Sequence, residues 1–403
     1  MTVHSDPVAF PAASTSASLA PSASLSQSPS LSPSPWERWR LRWQFELHRR
    51  RRDGFLLHGH HHHNYVVPLS EPLASILREP PGGLGKFRTR LDTVQVLPRV
   101  WHEGDVLRAL RHRLPGVPRV LLTMGHRALH SYVEGTPLIE SAAPGNPVGD
   151  DTLRRIATLF GELAEVPPED LPDLPPGWSN DGDSTRFLQN LARFAHHEVY
   201  LHNFPRFGGL FHELGIPDDA MERFTRDAKQ LRNRPYSLLH ADIHRANLLR
   251  RKDGELALVD WECALFGDPL HDLATHVVRM EYTAEERRRL IGLWRREMRR
   301  RGLTGRLVGM EQDFRVYLDF EYAQSVLPDT IRAARALPAS ATENHFDVAA
   351  ASVHRALTRA RSPLHLRDIP DHLTVKAALR SWHRKHRTPP RRLPAVRRWP
   401  RGR

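Results

Sequence analysis

Hydrophobic and polar positions follow two rhythms along the chain. From Phe55 to Val133 the rhythm is short. Phe55–Gly59 and Tyr65–Leu69 predict two strands around a His-rich turn. Gly85–Leu91 alternates with a period of two, and Val94–Trp101 predicts a further strand or extended segment. His102–Leu114 departs from this pattern, because Val106, Leu107 and Leu110 share one helical face. After the breaker Pro115–Pro118, Val120–Met124 and Leu129–Val133 predict a hairpin pair. Beyond Gly135 the period lengthens. Asp150–Val166 has an acidic start and sets Leu153, Ile156, Leu159 and Leu163 on one face. Helical patterns recur over 184–203, 218–232, 282–302, 311–336 and 344–360. Tyr236–Leu239 and Glu255–Val259 are short apolar runs that read as strands. The expected fold class is α+β, with a small β-rich N-lobe holding one helix over 55–133. A larger, mostly helical C-lobe follows over 134–362.

The ends differ from this body. Residues 1–35 are a low-complexity run of Ser, Pro and Ala, which cannot bury enough apolar surface to offset its ordering entropy and is expected to be disordered. It lacks the basic start and apolar run of a secretory signal. Residues 36–54 mix Trp and Arg; an interfacial helix and a leader packed on the domain are the two readings. Residues 363–403 read as a basic, Pro- and Arg-rich tail that frays.

Composition sharpens the picture where charge is concerned. The 403 residues are 40% hydrophobic and 26% charged, enough apolar content for a core. The formal net charge is +13, which by itself suggests a nucleic-acid binder. Its distribution argues otherwise. Lys376–Arg403 carries +11, Trp36–Gly54 carries +4, and the body 55–375 carries −1. Only five basic residues outside the histidines are Lys, so the Arg richness reads as genome bias more than as phosphate recognition. Nucleic acid is therefore not the expected partner. No apolar run approaches the ~20 residues of a spanning helix. The single cysteine, Cys263, excludes an internal disulfide framework. A cytoplasmic location is the expectation.

The chemistry concentrates in His240–Asp272, HADIHRANLLRRKDGELALVDWECALFGDPLHD. Asp242 and Asn247 lie five apart in a polar loop after an apolar strand. A second strand delivers Asp260 at its end, and Asp268 and Asp272 follow on a Gly/Pro turn. Phosphoryl transfer to a hydroxyl uses such a set. A carboxylate orients the acceptor and takes its proton, and hard oxygens hold Mg²⁺ on a polyphosphate. HADIHRAN resembles the catalytic loop, HxDxxxxN, of aminoglycoside phosphotransferases and their choline-kinase-like relatives, which share the protein-kinase fold. LVDWECALFGDPLHDLA is similar to that family's second block. The resemblance covers roughly 55–362 and is sharpest over 236–276. It implies Asp242 as the catalytic base, Asn247 and Asp260 as Mg²⁺ ligands, and His240 and Asp272 as braces of the loop. Trp261–Glu262 stands where protein kinases have Phe–Gly, which suits the small-molecule branch.

The same resemblance extends less sharply into the N-lobe. Kinase-like enzymes hold the nucleotide phosphates with a basic strand residue paired to a helix Glu. Glu103, heading ExxxLxxL, is the expected helix Glu, and Lys86 on the strand GKFRTRL is the first choice for the base. Arg88 shares the strand face of Lys86, and Arg99 is the next rival. The turn Gly59–Asn64 sits where the family covers the phosphates, so Asn64 is a candidate nucleotide contact. Its adjacent histidines also raise a Zn²⁺ reading, though neighbours in sequence converge poorly on one ion. Ser131–Leu138 resembles the inter-lobe hinge, so Val133 and Glu134 would meet the adenine. The implied activity is an ATP- and Mg²⁺-dependent transfer to a small-molecule hydroxyl, on an aminoglycoside-like aminosugar or a related metabolite. The alternatives are a catalytically silent nucleotide-binding kinase fold and a nucleic-acid binder using its basic ends.

Overall fold

The computed structural model describes residues 55–386, apart from 59–61, 78, 80–81, 91–93, 125–126 and 229, together with positions 36, 39 and 43. The leader 1–35, most of the Trp/Arg segment, the Gly59 end of the His-rich turn and the last residues of the basic tail lie outside the described residues. Trp36, Trp39 and Trp43 are helical and exposed, and the first two rings stack at 5.0 Å.

The chain divides into two compact units. The first takes the chain through Thr93, then Pro98–Phe187 and Arg232–Met310. The second gathers Val94–Leu97, Leu188–Leu231 and the chain from Glu311 onward.

The first unit opens with an antiparallel sheet of five strands, β1 (Phe55–His58), β2 (His62–Pro68), β3 (Leu84–Arg90), β4 (Val120–Met124) and β5 (Arg127–Ser131), in the order β1-β2-β3-β5-β4. Strand alternation sorts β3 into two faces. Phe87 enters a cluster with Val67, Leu69, Ala74, Leu122 and Leu129. Lys86 and Arg88 therefore lie together on the opposite face. Helix α1 (Glu71–Leu77) follows β2, and α2 (Glu103–Leu110) buries Val106, Leu107 and Leu110. The helix expected over His102–Leu114 ends in turns after Leu110, just before the Pro-Gly breaker. Val94–Val100 joins no strand ladder and bends at Leu97, and β5 lies two residues earlier than the expected Leu129–Val133.

The same unit continues with β6 (Thr136–Pro137), α3 (Leu138–Ser141) and α4 (Asp150–Glu165). At Gly135 a Cβ would stand 2.9 Å from Leu249 Cβ and 3.0 Å from the Arg250 carbonyl, so only glycine permits this approach. Later in the chain come β7 (Ser237–Leu239), β8 (Leu248–Arg250), β9 (Leu256–Leu258) and β10 (Leu265–Gly267). They form a small ladder β6-β8-β9 and a pair β10-β7. These short strands frame the loops that carry the motif residues.

In the second unit, α5 (Ser184–Phe194, which begins in the first unit) runs into a π turn, Ala195–Leu201. It continues as α6 (His202–Glu213), and α7 (Ala220–Asp227) follows. Back in the first unit, α8 (Pro269–Met280) and α9 (Ala284–Arg300) follow β10. The second unit closes with α10 (Met310–Arg335), α11 (Glu343–Ala360) and α12 (His372–His386). The last helix corrects the expectation of a fraying tail from 363. Val375, Ala378, Leu379 and Trp382 make an apolar stripe at helical spacing, and all four are buried. Trp382 stacks on Phe207 at 5.0 Å and its indole N–H donates to the Arg206 carbonyl at 3.0 Å.

Candidate active site

The loop after β7 is held from below by α8. Asp268 caps that helix, accepting from the Leu270 N–H at 2.9 Å, and Pro269 takes the first helical position. One turn on, buried Asp272 accepts the backbone N–H groups of His240 at 3.0 Å and Ala241 at 2.9 Å. These bonds fix Ala241 at φ 58°, a left-handed conformation that a non-glycine residue adopts at a cost. Burial pushes the Asp272 carboxyl up to about 7, against the pull of those two donors. The buried ring of His240 packs edge-on to Trp261 at 4.8 Å, and burial holds it down at about 4, hence neutral.

That backbone delivers Asp242, which is 6% exposed. Asn247 Nδ2 donates to the Asp242 carbonyl at 3.0 Å and to Oδ2 at 3.2 Å. Arg279, near the end of α8, donates to Oδ1, and His244 Nε2 lies 3.5 Å from the same oxygen. Burial raises the Asp242 carboxyl, but Arg279 and His244 outweigh it and hold it at about 2. The group is thus an ionised carboxylate across the physiological range.

With its nitrogen committed to Asp242, Asn247 has its amide oxygen left as a donor for a cation. The Val259 N–H donates to the Asn247 carbonyl at 3.0 Å, tying the loop to the segment that ends at Asp260. Asp260 has φ 72° and ψ 64°, which turns the chain sharply into Trp261–Cys263. Its Oδ1 accepts from Arg88 Nη2 at 2.5 Å. The remaining candidate donors, one amide and one carboxylate, suit Mg²⁺, which takes one or two protein oxygens and fills its shell with phosphate and water. Among the described residues, no group of three or more His, Cys, Asp or Glu could hold a metal ion.

Arg88 is 3% exposed and bridges two carboxylates, pairing with Glu103 as well as Asp260. Glu103 also accepts the Trp261 N–H at 3.1 Å, so the head of α2 is tied to the Asp260 turn. Lys86 lies two residues away on the same strand face and feels the charges of Asp260 and Glu103. Burial, with Arg88 adding to it, lowers its ammonium to about 8. Arg99 is committed elsewhere, donating to Glu262 at 2.7 Å. Burial and the nearby Asp260 push Glu262 up to about 7. The structure thus brings Glu103, Asp260, Lys86 and Arg88 together and places Arg99 one residue pair further along.

The hinge candidates lie at the edge of this unit. Val133 packs on Leu249, Ala257 and Val259. The Glu134 carboxylate points to exposed Lys252 at 3.2 Å. Asn64 is in β2 directly across from Arg88 in the strand register.

Arg279 and His244 are the neighbours that sequence reading missed. His244 stands inside the motif, in one of its variable positions. Arg279 is seven residues beyond Asp272, two helical turns along one face, and that spacing could have brought it to the same loop.

The family model of the phosphotransferase enzyme family (APH) matches residues 87–304, just over half of the chain. The chain belongs to that family, and the α+β, protein-kinase-like fold expected from the sequence accompanies it. No curated protein matches it in sequence. Among solved structures, the chain is similar to macrolide 2'-phosphotransferase type I, with 16% identity, 77% of this chain and 96% of that one covered, and a TM-score of 0.45. It is similar to a choline/ethanolamine kinase family protein from Mesorhizobium loti, with 16% identity, 81% and 92% coverage, and a TM-score of 0.42. A thermostable mutant of aminoglycoside phosphotransferase APH(4)-Ia, bound to AMP-PNP and hygromycin B, gives 16% identity, 77% and 94% coverage, and a TM-score of 0.41.

No helix among the described residues is long and apolar enough to cross a membrane.

Proposed function

We propose that this phosphotransferase moves the γ-phosphoryl group of ATP to a hydroxyl of a small molecule. The observation that carries the reading is the bonding around one loop. Asn247 is bonded to Asp242 through its amide nitrogen and to the Asp260 segment through its carbonyl. One buried loop therefore sets a base and two oxygen donors at fixed separations, as phosphoryl transfer needs.

In this reading Asp242 accepts the proton of the acceptor hydroxyl as its oxygen bonds to the γ-phosphorus. The bond from that phosphorus to the bridging oxygen breaks, and ADP leaves with the electron pair. No covalent enzyme intermediate is required. Asn247 and Asp260 would hold Mg²⁺, which when bound neutralises phosphate charge. Lys86 supplies a cation to the phosphates, while Arg88 fixes Glu103 and Asp260. The main chain at Val133 and Glu134 meets the adenine, and Asn64 lies near the phosphates. His240 and Asp272 hold the loop.

Asp242→Asn is expected to keep Mg·ATP affinity within a factor of about two and to lower turnover by roughly 10²–10⁴-fold. Calorimetric ATP titration beside an ADP-release assay over a panel of hydroxyl compounds checks this. Full turnover in the variant would remove Asp242 from the chemistry.

A further inference from the structure

The charges around Asp242 say something about what the acceptor is. Four carboxylates converge on the site, and four cations accompany them. Asp242 is paired with Arg279, and Glu262 with Arg99. Glu103 and Asp260 share Arg88, with the ammonium of Lys86 close to both. Arg88 is almost fully buried between its two carboxylates, and Arg99, 21% exposed, covers Glu262. Arg279 is the cation that covers Asp242 itself. Its side chain is 26% exposed while the carboxylate it touches is 8% exposed, so it is the more solvent-facing member of the pair. His244 stands beside the same oxygen and adds no negative charge.

A polycation is held in water by carboxylates whose charge is not already balanced. Here the one carboxylate that must meet the acceptor hydroxyl is already balanced by a guanidinium. We propose, resting on the phosphotransfer reading above, that Arg279 is a specificity-determining residue that turns the site toward acceptors uncharged beside the reacting hydroxyl and away from cationic ones. An acceptor hydroxyl bonded to Asp242 is separated from Arg279 by two hydrogen-bond lengths through the shared carboxylate, which carries its neighbouring substituent to within about 6–8 Å of the guanidinium. At that range one unit charge on the protein changes the affinity for a charged substituent by roughly 10- to 100-fold.

The test uses acceptor pairs that differ in charge and little in shape. Choline and its carbon isostere 3,3-dimethylbutan-1-ol are one such pair. Ethanolamine and its carbon isostere propan-1-ol are another. The full-length chain is assayed with Mg·ATP, with Asp242→Asn as the blank. The expected result is a higher kcat/KM for the uncharged member of any pair that is turned over. Arg279→Gln should then shift the ratio toward the cationic member by about tenfold or more, mostly through KM, while Arg279→Lys should keep the wild-type preference. A wild-type preference for the cationic member overturns the proposal, as does a ratio that Arg279→Gln leaves unchanged. If no acceptor in the panel gives turnover above the Asp242→Asn blank, the phosphotransfer reading itself falls, and this proposal with it.

Discussion

Exchanging Lys86 and Arg88 for methionine, one at a time, separates two roles that share one strand face. Arg88 bridges Glu103 and Asp260 while almost fully buried. Removing it leaves two partly buried carboxylates, 13% and 21% exposed, without their cation, a loss of at most about 3–5 kcal/mol. Lys86 predicts the opposite sign. Its ammonium is lowered from 10.5 to about 8, chiefly by burial. At pH 7 the folded protein therefore carries the penalty of that shift, at most about 3 kcal/mol at 1.36 per unit. The sign follows from linkage. Between pH 8 and 10.5 the unfolded chain binds more protons at this group than the folded one, so stability rises with pH across that window. Lys86→Met should flatten that rise and leave stability at pH 7 unchanged or higher. What it should lose is nucleotide affinity, by about 1–3 kcal/mol for a charge-assisted phosphate contact. Because phosphate favours the charged ammonium, wild-type binding of Mg·ATP near pH 8.5 should take up protons, read as a buffer-dependent heat in calorimetry. Urea unfolding of both variants supplies the stabilities. Equal destabilisation by the two substitutions would refute the division of labour. Normal ATP affinity in Lys86→Met would do the same and pass the phosphate role to Arg88.

Three further outcomes follow from the geometry. Asp272→Ala strands two buried N–H donors, at about 1–3 kcal/mol each, so urea unfolding should show a loss of that order and turnover should fall with it. Asp272→Asn, which keeps one acceptor oxygen, should lose about half as much. Gly135→Ala forces a Cβ against Leu249 and the Arg250 carbonyl and should lower stability by about 1–3 kcal/mol as an overpacking change, measured by thermal unfolding. Trp382→Ala removes the stack on Phe207 and the bond to Arg206. It should cost about 3–5 kcal/mol, seen as earlier unfolding by circular dichroism, whereas a silent substitution would mean that α12 does not anchor its unit.

The placement of the Asp242–Asn247 loop beside Asp260 was legible in the sequence because it is local. Asp242, Asn247 and Asp260 reach one place through short strands and a tight turn, so their spacing alone carries the geometry. The N-lobe pairing was not. A strand sends every second residue to one face, and Lys86 and Arg88 differ by one period, so pattern cannot tell which of them meets Glu103. Arg279 was hidden because its partner is 37 residues away. Helix α8 was readable in hindsight. Asp268 and Pro269 are a capping residue and a first-turn proline, a signal for a helix start that their place in a Gly/Pro turn obscures. The end of the chain misled for a different reason. Pro and Arg around residues 363–371 and beyond 386 masked an apolar stripe whose members, Val375, Ala378, Leu379 and Trp382, keep helical spacing throughout.

The π turn at Ala195–Leu201 has a bearing on how this chain tolerates change in length. An α-helix gains about 100° of rotation per residue, so a one-residue insertion in a packed helix normally turns everything after it out of register. A π turn absorbs that extra residue in one widened loop of backbone. Here it separates α5 from α6, and α6 seats Phe207, Gly208, Leu210 and Phe211 in the interior of its unit. Deleting one residue between 195 and 201 would restore a continuous α-helix. It would also rotate those four positions by more than a quarter turn. The two halves of this long helix are thus locked in phase by a length that looks irregular, and shortening it to the regular length would be the damaging change.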